Sequence, residues 1–189
     1  MIWSKYVDET AKCLRSLAVS DGDAKPLDNE TAFALWKDLT VQARGQKKTI
    51  FLIGNGASAS MASHVAADLA KNAHVHTEVF TDLALITAIA NDMSFDEVFA
   101  EPLRRRLKPG DILVAISSSG KSINILNAVR TTKEHGGRVI TLSAISADNP
   151  LRKAGELNFY IPAQSYGMAE NCHAALLHYW IDKLVSATK

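Results

Sequence analysis

The feature that most constrains the fold is a regular alternation of short apolar runs with longer helical patterns. Residues 49–53 (Thr-Ile-Phe-Leu-Ile) and 111–116 (Asp-Ile-Leu-Val-Ala-Ile) are the strongest β-type runs, and each leads into a loop of small residues and then a helical pattern. Weaker runs lie at 78–80, 138–142 and 157–161. Apolar strands that alternate with helices indicate a parallel sheet covered on both faces. We therefore predict a doubly wound α/β domain.

Two helical patterns precede the first of these strands. Apolar residues recur at helical spacing between Ile2 and Leu17 and again between Phe33 and Val41, and the turn-rich stretch 21–26 separates the two patterns. We predict that residues 1–45 form N-terminal helices that pack on the core and take part in oligomerisation. Residues 46–189 then form the ligand-binding domain, and the two segments make one structural domain.

The composition argues against several classes of function. The 189 residues carry a formal net charge of +1 with no long basic run, whereas a general nucleic-acid binder needs a concentrated positive face. No apolar stretch reaches the roughly 18–20 residues that cross a bilayer. Cys13 and Cys172 are too few for a disulfide framework. We therefore expect a cytoplasmic protein with neither a nucleic-acid nor a membrane partner.

The loop after residues 111–116 has the composition of an anion-binding site. Residues 117–122 read Ser-Ser-Ser-Gly-Lys-Ser, and a helical pattern follows. Small hydroxyl side chains, free backbone N–H groups and the positive end of a helix dipole together bind anions such as phosphate. Capping of the helix by one serine is the alternative, but four hydroxyls in six residues exceed what a cap needs.

Neither glycine-containing loop matches a nucleotide-binding motif. The triplet 120–122 (Gly-Lys-Ser) resembles the end of a P-loop, but the earlier glycine that a P-loop requires is Ala115 here. Residues 54–58 (Gly-Asn-Gly-Ala-Ser) are correctly placed for a ligand loop, but Ala59 stands where a dinucleotide fingerprint has its third glycine. We therefore reject ATP or GTP binding, regard the dinucleotide fingerprint as a poor match, and retain an anion as the ligand.

Histidines and carboxylates recur at helical spacing in two segments. His64 and Asp68 lie four residues apart and share one helix face. Glu170 and His178 lie eight residues apart, two turns along nearly the same stripe of the last helical pattern. A histidine and a carboxylate on each of two helices fit a four-ligand zinc set, or an acid–base pair. A hydrogen bond on one helix face is the alternative, because the sequence does not show that the two helices meet.

Taken together, these stretches resemble the sugar isomerase (SIS) domain family, and within it the phosphoheptose isomerase type. The matching residues follow the family's order over residues 45–185: 54–58 with His64 and Asp68, 88–92 with 97–99, 109–122, and 173–178. The resemblance implies a five-stranded parallel sheet between helices, a homotetramer with active sites at subunit interfaces, and one zinc ion per subunit. The implied reaction converts sedoheptulose 7-phosphate to D-glycero-D-manno-heptose 7-phosphate.

The resemblance also implies roles for individual residues. The phosphate-binding positions are Ser58, Ser117, Ser118, Ser119 and Ser122, and those near the sugar are Asn55 and Asp92. The zinc positions are His64, Asp68, Glu170 and His178, of which Asp68 and His178 are also the acid–base positions. The chemistry suits these groups, since aldose–ketose isomerisation moves a proton between neighbouring carbons through an enediol. A carboxylate can carry that proton while zinc and imidazole stabilise the oxyanion.

Three positions depart from the family's usual pattern. Asp68 stands where the family has Glu, Glu170 where it has Gln, and Lys121 where it has Asn. Shortening the base by one methylene retracts its oxygen by about 1 Å, a misplacement that can cost on the order of a hundredfold in rate. The extra charge of Glu170 could instead re-space one metal site. We therefore expect an isomerase that acts on the heptose or on a related sugar phosphate.

The alternative is an SIS module without catalytic activity. Such a module would bind a sugar phosphate or a protein partner, as the initiator-associating protein of bacterial replication binds the replication initiator. That type typically lacks several metal positions, whereas this chain has a candidate ligand at all four. The sequence therefore favours the enzyme.

Overall fold

The computed structural model describes residues 2–186, which form seven α-helices and seven strands. The strands are β1 (Ala18–Asp21), β2 (Pro26–Leu27), β3 (Thr49–Gly54), β4 (His76–Val79), β5 (Ile112–Ser117), β6 (Arg138–Ala144) and β7 (Leu157–Ile161). The helices are α1 (Trp3–Arg15), α2 (Asn29–Gly45), α3 (Ala57–Ala73), α4 (Leu83–Asp92), α5 (Ala100–Arg106), α6 (Ile123–Glu134) and α7 (Tyr166–Ser186). Short 3₁₀ turns cover Phe95–Glu97 and Pro150–Lys153.

The predicted parallel sheet is confirmed, and all five β-type runs contribute to it. Strands β7, β6, β5, β3 and β4 lie side by side in that order, and every neighbouring pair is parallel. Alternate residues of these strands enter two separate cores. Leu52 and Val114 pack on the side of α2, α3 and α7, whereas Phe51 and Leu113 pack on the side of α5 and α6. Helices therefore cover both faces, as a doubly wound sheet requires.

The prediction of a purely helical N-terminal segment was wrong in one respect. The turn-rich stretch 21–26 is the turn of a small hairpin, in which β1 pairs with β2 and also with β7, both antiparallel. The described sheet therefore has seven strands in the order β2-β1-β7-β6-β5-β3-β4. Strands of four and two residues are too short for a periodic pattern to reveal.

The N-terminal helices pack against the sheet and the last helix. Trp36 of α2 stacks on Trp180 of α7 with ring centroids 4.2 Å apart, and the indole N–H of Trp180 donates to Thr40. The boundary between the predicted segments, at residue 45, stays a prediction. Their outer ends, Met1 and residues 187–189, lie outside the described residues. Among the residues described, no helix is both long and apolar enough to span a membrane.

The order of the strands decides where a ligand binds. After β3 the chain moves outward to β4, then returns to the other side of β3 and continues through β5, β6 and β7. Strands β3 and β5 are therefore parallel neighbours whose following loops diverge to different helices, which is a topological switch point. In open α/β sheets, ligands bind in the crevice at this point, beyond the carboxyl ends of the strands.

Candidate functional site: a serine-lined pocket and a metal-ligand cluster

The two loops predicted to bind an anion meet at this switch point. Helix α3 begins at Ala57 directly after β3, and α6 begins at Ile123 after the loop that follows β5. Both helix N-termini therefore lie beside one cavity of about 270 Å³. Asn55, Tyr166 and Glu170 line this cavity. All five predicted phosphate-binding serines line it as well: Ser58, Ser117, Ser118, Ser119 and Ser122. Such a pocket offers hydroxyl groups and two helix dipoles to an anion.

The loop at residues 117–122, here called the serine loop, is held in shape by its own hydrogen bonds. The hydroxyl of Ser117 accepts from the backbone N–H of Gly120 at 3.2 Å, and that of Ser119 accepts from the N–H of Lys121 at 3.3 Å. Ser122 is the N-cap residue of α6, yet its side chain makes no capping hydrogen bond. The alternative reading of the loop as a simple serine cap is therefore not supported.

The buried side chain of Asn149 packs against Gly120 in the serine loop. Gly120 has φ of +62°, and a Cβ atom there would lie 2.0 Å from Oδ1 of Asn149. The amide of Asn149 donates to the carbonyl of Ser146 at 2.7 Å, and its Oδ1 accepts from the N–H of Arg152 at 2.9 Å. Only glycine fits at residue 120, because both the backbone conformation and the contact exclude a side chain.

The loop after β3 is equally close-packed. A Cβ atom on Gly54 would lie 2.5 Å from Cβ of Ser58, so the absence of a side chain lets the strand turn directly into α3. Asn55 lies half-buried in this turn, where its amide pairs with the amide of Asn124 on α6. This partner was missed by sequence reasoning, because one asparagine in a helix has no distinguishing pattern.

Asp92 is not among the residues that line the pocket. It is exposed at the C-terminal end of α4, and one of its carboxylate oxygens accepts a hydrogen bond from Asn91 at 2.8 Å. The structure therefore does not bring Asp92 to the serine-lined pocket of its own chain.

Three of the four predicted metal ligands meet between α3 and α7. Potential ligand atoms of His64, Asp68 and His178 all lie within 4.8 Å of one another. Nε2 of His64 is 3.4 Å from a carboxylate oxygen of Asp68, and the two imidazole rings are 5.4 Å apart between centroids. Two imidazoles and a carboxylate are the donor set of many catalytic zinc sites, which leave further coordination positions open. The residues present therefore fit zinc.

Glu170 lies elsewhere. It lines the serine pocket and is absent from the three-residue ligand group. Eight residues of helix separate it from His178, a rise of about 12 Å along the axis. One chain therefore assembles three of the four predicted ligands, and the fourth, Glu170, lines the serine pocket instead.

A buried histidine near the site was not identified from the sequence as functional. His173 on α7 is fully buried, its Nε2 lies 3.2 Å from the carbonyl oxygen of Ser143, and its Nδ1 has no partner. Burial lowers the pKa of His173 to about 4, against the weaker opposite effect of the hydrogen bond to Ser143. The ring is therefore neutral at pH 7, and its Nε2–H donates to the carbonyl of Ser143 near the end of β6.

Comparison with known protein families agrees with this fold. The SIS domain family matches residues 28–144, and the chain belongs to that family. Within it, the chain is 34% identical to the phosphoheptose isomerase of Aromatoleum aromaticum over 137 residues, which cover 68% of this chain and 69% of the relative. It is 32% identical to the phosphoheptose isomerase of Shewanella denitrificans over 155 residues, which cover 78% of this chain and 79% of that relative.

A solved structure extends the likeness over nearly the whole chain. The phosphoheptose isomerase of Neisseria gonorrhoeae superposes with a TM-score of 0.82 at 26% identity, and 96% of each chain is covered. The structural similarity therefore extends beyond residues 28–144 at both ends of the chain.

Proposed function

We propose that this protein is a phosphoheptose isomerase that interconverts sedoheptulose 7-phosphate and D-glycero-D-manno-heptose 7-phosphate. The observation that carries the proposal is the cluster of His64, Asp68 and His178 on α3 and α7. The same two helices supply Ser58 and Glu170 to the serine-lined pocket. Groups able to transfer a proton therefore lie on the elements that line a serine-rich anion pocket, in a chain whose relatives carry this name.

In this proposal, the loops at residues 54–58 and 117–122 bind the phosphate. Their hydroxyl and backbone N–H groups donate to the phosphate oxygens, and the N-termini of α3 and α6 contribute favourable dipoles. Asn55 lines the same pocket, so its amide is available to contact the sugar hydroxyls. Asp92 takes part only from a neighbouring subunit, because it is exposed and absent from the pocket of its own chain.

Isomerisation requires a base that removes a proton from C1 of the ketose and returns it to C2. Asp68 is only partly exposed and lies 3.4 Å from His64, which suits a carboxylate that accepts and returns a proton. His178 is then the acid that protonates the developing enediol oxygen. His64, Asp68 and His178 would hold the zinc ion, which would supply Lewis-acid polarisation of the carbonyl group. Glu170 lines the serine pocket and lies outside this ligand group within one chain.

Zinc binding is tested by the metal content of the purified protein. We expect about one zinc ion per chain in the wild type and its loss in His64→Ala. The matched control is His135→Ala, since His135 ends α6 and its ring bonds only to the carbonyl of Thr131. A wild-type protein that stays free of zinc after incubation with it contradicts the metal site.

We also propose a cytoplasmic homotetramer with sites at subunit interfaces. Trp3 and Val7 lie one turn apart on the same face of α1 and are 76% and 44% exposed. An exposed apolar helix face of this kind is suited to burial against another subunit. Native mass spectrometry tests the assembly, and a monomer at micromolar concentration contradicts it.

The activity is tested with sedoheptulose 7-phosphate in the presence of zinc, with product formation followed by chromatography. A panel of five- and six-carbon ketose phosphates identifies a related substrate if the heptose is not converted. The absence of turnover on every sugar phosphate refutes the isomerase. Phosphate binding without turnover then supports the non-catalytic SIS module, which the position of Glu170 outside the ligand cluster favours as the second candidate.

A further inference from the structure

Two side-chain amides join the anion-binding loops directly. Nδ2 of Asn55 donates to Oδ1 of Asn124 at 3.0 Å, and Nδ2 of Asn124 donates back to Oδ1 of Asn55 at 2.9 Å. Asn55 belongs to the loop after β3, whereas Asn124 lies in the first turn of α6, 69 residues later. Asn124 is 2% exposed and is not part of the pocket lining, so it does not itself meet a ligand.

The orientation of Asn124 is determined by the backbone. Its Oδ1 also accepts a hydrogen bond from the N–H of Ile125 at 2.9 Å, so both lone pairs of this oxygen are used. A flipped amide would place an NH₂ group against that N–H. Asn124 must therefore present its oxygen to Nδ2 of Asn55 and its nitrogen to Oδ1 of Asn55.

The orientation of Asn55 follows from that of Asn124. The reciprocal pair uses one N–H and one lone pair of the Asn55 amide, which leaves one N–H and one lone pair for a ligand. Asn55 is half-buried and lines the serine pocket, where these remaining groups are available. Without its partner, the amide could rotate and exchange its donor for its acceptor.

We propose that Asn124 is a positioning residue that acts through Asn55. It holds the loop at residues 54–58 in register with the loop at residues 117–122, and it fixes which polar atom Asn55 offers to the sugar phosphate. Binding groups must be held to within a fraction of an ångström to be effective, and this is achieved by buried hydrogen-bonding partners behind them. This inference rests on the proposed function, since it assigns a role within the same pocket.

The test is a double-mutant cycle of Asn55→Ala and Asn124→Ala. The readouts are the Kd for inorganic phosphate, measured by calorimetry, and KM and kcat for sedoheptulose 7-phosphate. We expect Asn124→Ala to raise Kd and KM by about thirtyfold, the equivalent of two net hydrogen bonds, with a smaller change in kcat. In the Asn55→Ala background the same substitution should change Kd and KM by less than about twofold, because the residue through which it acts is gone.

A second variant separates positioning from capping of the helix. Asn124→Asp keeps the acceptor for the N–H of Ile125 and is favourable at a helix N-terminus, so α6 is retained. It loses the donor to Asn55, so we expect it to raise KM, as Asn124→Ala does. The charge of the aspartate weakens phosphate binding by itself, and Asn55→Ala/Asn124→Asp measures that contribution. Full activity in Asn124→Asp would overturn the proposal, because capping alone would then suffice.

The matched control is Asn127→Ala. Asn127 lies one turn later on α6, and its amide donates to the carbonyl of Asp96 and to Glu97, away from the pocket. We expect unchanged kinetic constants for this variant. Equal effects of Asn124→Ala with and without Asn55 would show a merely structural role and overturn the inference. A wild-type protein that neither binds phosphate nor isomerises any sugar contradicts the proposed function instead.

Discussion

Substitution of Gly120 by alanine tests whether the serine loop packs as closely against Asn149 as the structure indicates. The residue has φ of +62°, which costs an alanine about 1 kcal/mol. Its new Cβ atom would also lie 2.0 Å from Oδ1 and 2.3 Å from Cγ of Asn149. Contacts this short cannot persist, so either the loop or the buried asparagine must move.

The size of the effect follows from what Asn149 loses when it moves. Its amide donates to the carbonyl of Ser146 at 2.7 Å, and its Oδ1 accepts from Arg152 at 2.9 Å. Two net hydrogen bonds contribute about 2 kcal/mol, and overpacking adds about 1 kcal/mol. With the backbone cost, Gly120→Ala should destabilise the protein by about 4 kcal/mol, which lowers Tm by about 10 °C in a chain of this size.

The assay is urea unfolding followed by circular dichroism, with Gly110→Ala as the control. Gly110 also has a positive φ, +86°, but a Cβ atom there meets only the far end of the Lys48 side chain at 3.2 Å. The control should therefore cost only the backbone term, about 1 kcal/mol. A second arm places Gly120→Ala in an Asn149→Gly background, where the steric cost should disappear. Equal losses in Gly120→Ala and Gly110→Ala would refute the reasoning.

Three further predictions concern single side chains. Because burial lowers the pKa of His173 to about 4, below its usual 6.5, the neutral ring stabilises the fold above pH 6.5. As the pH falls from 6.5 to 4, the contribution of this ring to the free energy of unfolding falls by up to about 1.4 kcal/mol per pH unit. His173→Gln should therefore flatten this part of the curve of stability against pH, which urea unfolding measures. Burial raises the pKa of the Cys172 thiol to about 11, so iodoacetamide at pH 8 should alkylate it only in the unfolded protein, as mass spectrometry of native and denatured samples will show. Lys121 is exposed beside the serine loop, so Lys121→Asn should weaken phosphate binding by about two- to fivefold in calorimetry, and less at high salt; an unchanged Kd at low salt would exclude that role.

The sequence alone predicted the class of fold and the anion-binding loops. Four of the five apolar runs became parallel strands that are buried along nearly their whole length, and such a strand must be apolar throughout and therefore has a local signature. The weaker run at 78–80 marks β4, an edge strand that is only partly buried. Residues 117–122 were identified for a similar reason, since their hydroxyl-rich composition follows a buried strand directly and precedes a helix. The hairpin of β1 and β2 was not predicted, because its strands are short and β1 depends on the distant β7 for its second pairing partner.

The tertiary structure decided which of the polar residues act together. Helical spacing places His64 and Asp68 on one face, but only the packing of α3 on α7 brings His178 to them. The same packing directs Glu170 to the serine pocket, and the adjacency of β3 and β5 brings Asn55 to Asn124. Spacing along a chain defines the face of an element and not its neighbour. The neighbour is set by how the whole core packs, which depends on every strand and helix at once.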